Sequence, residues 1–151
     1  MKSVLHTPDL VHLEQRLAAL EPDARPRWGR MSAGGMVCHL TDSFHIVLGN
    51  RPTGHTNTRL ERTLIRLIAL TTPLPWPKGI ATVAEVDQER GGTRPEDFAA
   101  DFDRLRAALR EFVTRLPDRR MSHPIFGPLS TAEWGRWGYR HVDHHLRQFG
   151  L

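Results

Sequence analysis

The stretch that decides the fold lies at the end of the chain, where residues 130–150 read STAEWGRWGYRHVDHHLRQFG. Ser130 and Glu133 form the S-x-x-E pattern of a capping box, which predicts that a helix begins here. At about 100° per residue, one face of this helix is apolar and the opposite face carries arginines and an aspartate. The pattern therefore predicts an amphipathic helix that runs to Phe149 and packs against a helical core.

The preceding residues also show helical periodicity, interrupted by proline and glycine. Capping hydroxyls, helix-opening prolines and a terminal glycine mark the ends of the segments. They predict one helix that begins at Thr7 and ends before Pro22, and others at about 32–49, 57–70 and 95–117. No strand is expected, and the predicted fold is all-α: a four-helix bundle with an extra short helix and a long proline-rich loop. The predicted loops cover residues 71–79, 80–94 and 123–129.

Length and composition indicate a single globular unit. The chain has 151 residues, of which 39% are hydrophobic and 25% are charged, so we expect one domain over residues 1–151. No stretch approaches the roughly 18 apolar residues of a membrane span, and the first residues lack the apolar segment of a secretory signal. The single cysteine, Cys38, excludes an intrachain disulfide and a cysteine-based zinc site. These features predict a cytoplasmic protein without membrane contact.

The chain is basic, with a formal charge of +4 and a sequence pI of about 10.2. Its arginines are dispersed among acidic residues, which favours a solvated surface over a nucleic-acid interface. The expected partner is a small-molecule substrate, and nucleic acid is not expected. The oligomeric state is open, with a homodimer as one expectation.

Nine histidines are the unusual feature of the composition. In the last helix, His141 and His145 fall near the middle of the apolar face, one turn apart. An i, i+4 pair is the usual way in which a helix offers two imidazoles to one metal ion. In the second helix, His39 lies beside the apolar face. The residues expected to point away from that face are Cys38, Thr41 and His45.

Three inward imidazoles predict a site for one divalent ion, held by His39, His141 and His145. Three protein ligands leave a position for water or substrate, as in catalytic metal sites. Alternatively, each imidazole is a hydrogen-bonded core residue. His144 leaves an i, i+3 pairing with His141 open, but it lies about 80° from the centre of the apolar face, so we expect it to be a neighbour of the site.

Other side chains are candidates for contact with a substrate or with a metal ligand. Asp42 and Ser43 are expected to orient a ligand or a bound water. Trp76 and Phe126 are expected to form apolar walls of a pocket mouth, built by the loops 71–80 and 123–129. His123 is a candidate substrate-contacting residue. No phosphate-binding glycine loop, GxSxG or HExxH motif occurs in the sequence.

Three segments resemble the landmarks of the DinB/YfiT-like metal-binding superfamily, in the branch known as domain of unknown function 1569. They are MVCHLTDSFHIVLG (36–49), PLPWPKG (73–79) and HPIFGPLSTAEWGRWGYRHVDHHLRQFG (123–150). The resemblance implies a four-helix bundle with up-down-down-up connections. It also implies a divalent metal held by one histidine of the second helix and an HxxxH pair of the last, which correspond to His39, His141 and His145.

The same resemblance implies a class of function. Relatives include transferases and isomerases that depend on mycothiol, bacillithiol or glutathione, and metal-dependent hydrolases, with zinc or nickel as the ion. We therefore expect a metal-dependent enzyme that activates a thiol or a water, with a low-molecular-weight thiol as a co-substrate in the first case. The alternative is a non-catalytic, metal-stabilised module that binds a small molecule or a protein partner.

Overall fold

The computed structural model describes residues 1–52, 59–79, 82–116 and 122–151, with the side chains of 59–64 excepted. Within these ranges the chain is mostly helical, which confirms the predicted all-α bundle. The elements are α1 (Thr7–Ala18), α2 (Ala33–Leu48), α3 (Arg59–Thr71), a 3-10 turn (Ala84–Val86), α4 (Phe98–Arg115), β1 (Ser122–His123), β2 (Gly127–Pro128) and α5 (Thr131–Gln148).

α2 is the most deeply buried helix of the described chain, packed mainly on α4 and also on the 3-10 turn and α5. Its ends are as predicted: the Ser32 hydroxyl accepts a backbone N–H of the first turn, and Gly49, at φ +78°, terminates the helix. A helix covered on all sides has no outward face. The prediction that Cys38 and Thr41 point away from the core is therefore wrong, because they are only 2% and 8% exposed. His45 is half-buried.

α1 begins at Thr7 as predicted but lacks the predicted capping hydroxyl, and α4 begins at a residue other than the one predicted. The residue that precedes the first turn of α1 is His6, not Thr7, and its side chain makes no capping hydrogen bond. α4 begins at Phe98 rather than at Pro95. The reason is that the Asp97 carboxylate accepts a backbone N–H of the first turn at 2.8 Å and so caps the helix.

The predicted start of the third helix, Asn57, and the predicted end of the fourth, Pro117, lie outside the described residues. The described residues give α3 from Arg59 and α4 to Arg115. The predicted loop 80–94 contains the short 3-10 turn, and residues 80–81 of that loop also lie outside the described ranges.

The start of α5 confirms the predicted capping box. The Ser130 side chain accepts the Glu133 backbone N–H, and the Glu133 carboxylate in turn accepts the Ser130 backbone N–H at 2.9 Å. The same carboxylate accepts two N–H groups of Arg66, at 2.7 and 2.8 Å. This bidentate pair ties α3 to the first turn of α5.

A small antiparallel hairpin replaces part of the loop predicted at 123–129. β1 and β2 pair His123 with Gly127, and Gly127 takes φ +71°, which suits a residue without a Cβ. Inside the turn, Nδ1 of His123 accepts the backbone N–H groups of Ile125 and Phe126 at 3.1 and 3.2 Å. The prediction of no strand is therefore wrong at this point, because the histidine side chain closes a turn that periodicity does not reveal.

The core is an aromatic cluster that leads directly to the inward histidines. Phe44, Phe112, Trp134 and Trp137 pack with ring centroids 5.1 to 6.2 Å apart, so both tryptophans belong to the core. Trp137 also lies 5.2 Å from the ring of His141. Among the described residues, no helix has the length and apolarity that a membrane crossing requires.

Candidate metal centre

Two helices bring three imidazoles to one point. α5 places His141 and His145 on successive turns, and α2 places His39 opposite them, with ring centroids 4.7 to 5.2 Å apart. Each ring offers a nitrogen that lies within 4.8 Å of those of the other two. The predicted convergence of the three histidines is therefore present, and the group could hold a metal ion.

The closest approach joins Nε2 of His39 to Nε2 of His141, at 3.2 Å. A tetrahedral ion at about 2.0–2.1 Å from each nitrogen holds two nitrogens about 3.4 Å apart. The observed separation therefore fits two ligands of one ion. Without an ion, one of the two Nε2 atoms donates a hydrogen bond to the other.

The other ring nitrogen of His39 is fixed by the 3-10 turn. Nδ1 lies 2.8 Å from the carbonyl oxygen of Val86, and a carbonyl can only accept, so Nδ1 carries the proton. The lone pair of the neutral ring is then on Nε2, the atom that faces His141. A histidine ligand whose second nitrogen donates to a carbonyl is the usual arrangement in protein metal sites.

His145 is fixed in the same way through a side chain. Its Nδ1 lies 2.9 Å from Oε1 of Gln148, and Nε2 of Gln148 donates to the Trp28 carbonyl at 2.9 Å. Because the amide donates to Trp28, its oxygen is left to accept from His145. The lone pair of neutral His145 is therefore also on Nε2.

His141 differs from the other two. Its Nδ1 is buried and has no hydrogen-bond partner among the described residues. The ring centres of Trp137 and Trp76 lie 5.2 and 5.9 Å from the centre of the His141 ring. His141 as a whole is half-buried, whereas His39 and His145 are buried. His141 therefore marks the side on which the cluster is least covered.

Burial keeps all three imidazoles neutral. It lowers the pKa of His39, and it lowers the pKa values of His141 and His145 well below 6.5, with a smaller contribution from the neighbouring histidines. For His39, the Val86 carbonyl and the charges of Asp42 and Asp87 partly oppose the shift. Neutral imidazole is the form that binds metal ions.

His144 lies beside the cluster. It is half-buried, its ring is 5.3 Å from that of His145, and it packs between Trp28 and Trp76 at 5.9 and 6.0 Å. It is not one of the three converging residues. The geometry thus agrees with the expectation that His144 is a neighbour of the site, and its effect on metal binding stays a prediction.

Trp76, Phe126 and His123 line one side of the cluster in succession. The Trp76 ring lies 6.4 Å from that of Phe126, and Phe126 stacks on His123 at 4.5 Å. Burial lowers the pKa of His123 to about 3, so this ring is neutral, and its Nδ1 already accepts two backbone N–H groups. Its observed role is to hold the hairpin turn, and a contact of His123 with substrate stays a prediction.

Asp42 and Ser43 have other partners than the cluster. The Ser43 hydroxyl donates to the His39 backbone carbonyl at 2.8 Å. The Asp42 carboxylate accepts from Arg51 at 2.5 Å and from the backbone N–H and hydroxyl of Thr93, each at 2.7 Å. Asp42 therefore acts on His39 through its charge, and both residues hold structure around the site.

A shallow groove of about 210 Å³ adjoins the cluster on the α5 side. It is bounded by the loop residues 73–76, by His144 and by several charged residues of α5. The predicted mouth is found in part: the proline-rich loop and Trp76 line the groove, but the residues of the hairpin 122–128 do not. The hairpin instead packs its aromatic side chains behind Trp76.

Sequence reasoning missed the three groups that fix the ligands: Val86, Gln148 and Trp28. Gln148 lies three residues after His145 on the same helix face, and this spacing could have identified it. Val86 and Trp28 contribute backbone carbonyls from distant loops. A backbone carbonyl leaves no trace in the side-chain pattern.

Comparison with known proteins identifies a family. The family model described as the DinB superfamily matches residues 5–149. No curated protein and no solved structure matches the chain. The narrower branch, domain of unknown function 1569, stays a prediction. Since the match covers nearly the full length of the chain, the protein belongs to the DinB superfamily.

Proposed function

We propose that the protein is a metal-dependent enzyme in which Nε2 of His39, His141 and His145 hold one divalent ion. The observation that carries the proposal is the hydrogen bonding of Nδ1. In His39 and His145 this atom is tied to a carbonyl oxygen, so the lone pair lies on Nε2 and faces the other rings. Three neutral nitrogen donors suit zinc or nickel better than calcium or magnesium.

An ion in this position would lower the pKa of a bound water or thiol and so supply a nucleophile near neutral pH. The chain itself offers no thiol for this purpose. Cys38 is 2% exposed, and burial together with the charges of Asp101 and Asp42 raises its pKa to about 12. The nucleophile is therefore a water or the thiol of a separate low-molecular-weight co-substrate, which makes the protein a hydrolase or a thiol-dependent transferase or isomerase.

Groups of the protein fix the orientation of the three histidine rings. The Val86 carbonyl and the Gln148 amide hold two rings in a fixed tautomer, and the Trp137 ring covers His141 from the core side. The half-buried side of His141 is where a substrate would approach. This open side supports the enzyme over a non-catalytic module. The module remains the second candidate because His39 and His145 are only 4% and 8% exposed, as in a closed structural site.

Metal content of purified variants tests the proposal. We expect about one zinc or nickel ion per chain in the wild type, and less than about a tenth of that in His39→Ala, His141→Ala and His145→Ala, because each loses a ligand. The matched control is His144→Ala, which removes an adjacent imidazole from the same helix and should retain the wild-type metal content. Elemental analysis after dialysis gives the readout.

The opposite pattern would contradict the proposal. If His144→Ala loses the ion and His145→Ala retains it, the pair is His141 with His144 at i, i+3. If no variant changes metal content, the three histidines are hydrogen-bonded core residues. Circular dichroism of each variant checks that it has folded.

A further inference from the structure

Three half-buried aromatic rings form a continuous row beside the metal centre. Trp28, His144 and Trp76 follow one another with ring centroids 5.9 and 6.0 Å apart. The row touches the proposed ligands at two points, since His144 lies 5.3 Å from the ring of His145 and Trp76 lies 5.9 Å from that of His141. We call these three residues the aromatic row. Half-exposed aromatic surface next to a reactive centre is typical of small-molecule sites.

A cation stands at each end of the aromatic row. Nζ of Lys78 lies 4.5 Å from the centre of the Trp28 ring, and the Arg140 guanidinium lies 5.8 Å from that of Trp76. Both terminal nitrogens of Arg140 donate to carbonyls of the loop, those of Thr72 and Leu74, and so hold the loop in place. Lys78 is exposed and has no ion-pair partner in the described ranges.

Three carboxylates near the centre, those of Asp143, Asp42 and Asp87, already have partners among the described residues. Asp143 binds Arg16 at 2.7 Å and Arg147 at 2.9 Å. Asp42 binds Arg51 and Thr93, and Asp87 accepts the backbone N–H of the residue two positions after it. The three histidine ligands are neutral, so none of them would compensate the charge of a divalent ion. The surroundings of the aromatic row therefore favour an anionic ligand.

We propose that the aromatic row is the substrate-binding surface of this centre, that it takes a small aromatic or apolar carboxylate, and that Lys78 pairs with the carboxylate. The inference rests on the proposed function, because it names the substrate class of the same site. Trp76 and the part of Trp28 not covered by Lys78 provide apolar surface for the body of the ligand, and Lys78, which lies over the Trp28 ring, provides a charge without an ion-pair partner in the described ranges. Arg140 contributes by fixing the loop that carries Trp76.

The test compares 2-naphthoate with its neutral analogue 2-naphthamide by isothermal titration calorimetry on the zinc-loaded protein. We expect naphthoate to bind about tenfold more tightly. Lys78→Gln should lower the affinity for naphthoate three- to fivefold, as expected for the loss of one exposed ion pair, and leave the affinity for naphthamide unchanged. Trp28→Leu should weaken both, and it keeps the backbone carbonyl that Gln148 uses. The matched control is Arg110→Gln, which removes one exposed charge from α4 and should change neither affinity.

Equal affinity for the two probes, or an equal loss in Lys78→Gln and Arg110→Gln, would overturn the inference. Failure of the proposed function gives a different result. If the wild type takes up no metal, but naphthoate still binds the metal-free protein in a Lys78-dependent way, the aromatic row stands as a binding surface and the metal-dependent function fails. If zinc binds and naphthoate does not, the inference fails and the metal site stands.

Discussion

Gln148 links His145 to the loop between α1 and α2. Its oxygen accepts from His145, its nitrogen donates to the Trp28 carbonyl, and its backbone carbonyl accepts the N–H of Arg27 at 2.6 Å. The side chain thus fixes the tautomer of a ligand and holds the loop between α1 and α2 at the same time. Partners of this kind typically change metal affinity by 10- to 100-fold.

We expect Gln148→Ala to weaken metal binding by about tenfold, because His145 loses the acceptor that fixes its Nδ1 proton. Gln15→Ala, at an exposed position of α1, is the control and should bind metal as the wild type does. Competition with a chromophoric chelator measures both affinities. An unchanged affinity in Gln148→Ala would show that the amide does not orient the ligand.

His123 makes stability depend on pH. Its pKa is about 3 in the folded protein and about 6.5 in the unfolded chain, so between these values the unfolded state binds more protons. The stability that neutral His123 contributes is therefore fully present above pH 6.5, and it is lost progressively as the pH falls from 6.5 towards 3. The asparagine oxygen of His123→Asn can still accept a hydrogen bond in the turn, but it does not titrate.

Urea unfolding between pH 5.5 and 4.5 measures the effect. The free energy of unfolding of the wild type should fall by about 1.4 kcal/mol per pH unit more than that of His123→Asn, because the unfolded wild type binds one more proton. The other buried histidines contribute equally to both proteins and cancel in the difference. Parallel pH profiles for the two proteins would mean that His123 is protonated in the folded state.

The three converging histidines could be predicted because helical periodicity fixes which residues share a face. His141 and His145 follow from the spacing on α5, and His39 from its position beside the apolar face of α2. Asp42 and Ser43 could not be assigned in the same way. The contact of Asp42 with Thr93 depends on how a distant loop folds back, whereas the Ser43 hydroxyl bonds the His39 carbonyl one turn earlier in the same helix and is satisfied within α2.

The loop that carries the 3-10 turn is held to α2 by a small hydrogen-bond network. Asp42 accepts from Arg51 and Thr93, and Arg51 also donates to the Gly91 carbonyl. Gly91 in turn donates to the Ala84 carbonyl at 3.0 Å, within the turn that presents Val86 to His39. The network therefore begins at Asp42, one turn after His39 on α2, and positions the Val86 carbonyl that binds His39.

We expect Asp42→Ala to lower the free energy of unfolding by about 1–2 kcal/mol, because it removes the buried acceptor that holds the half-buried Arg51 and the exposed Thr93. It should also weaken metal binding, since Val86 is held less firmly. Urea unfolding of the metal-free protein and a metal titration measure the two effects separately. Asp103→Ala, exposed on α4, should change stability by less than about 0.5 kcal/mol.

If Asp42→Ala loses stability but binds metal normally, the network holds the loop without affecting the ligand. This outcome would remove Asp42 from the account of the centre while leaving its structural role intact.

The ends of the helices could be predicted better than the burial of their faces by neighbouring elements. Ser32, Gly49 and the box of Ser130 with Glu133 are local signals, and the structure confirms them. The burial of Cys38 could not be predicted from a two-sided helix pattern, because packing by α4 and the 3-10 turn covers the face that a surface helix exposes. The hairpin could not be predicted either, because its turn is closed by hydrogen bonds from the backbone to the His123 side chain.

The aromatic core adjoins the metal centre through Trp137 but contains none of the three histidines, and this predicts how the protein responds to chelation. The aromatic cluster of Phe44, Phe112, Trp134 and Trp137 is apolar and needs no ion. The metal-free protein should therefore stay folded and melt cooperatively. Loss of a ligand that binds only the folded state costs about 3–4 kcal/mol at high saturation, which corresponds to a Tm about 5–15 °C lower.

Thermal melting with and without a chelator provides this measurement, and His145→Ala gives the matched baseline because chelator should not shift its Tm. Unfolding of the wild type at room temperature on chelation would identify the ion as structural and remove most of the support for an enzyme.

The burial of Cys38 has a practical consequence. Its thiol is enclosed between α2 and α4 and stays protonated at neutral pH, so maleimides and nitroxide reagents should leave the native protein unmodified. A cysteine introduced on the surface, for example at Lys78, would then be the single reactive thiol without removal of the natural one. A spin label at that position would report its distance from a paramagnetic ion in the histidine cluster.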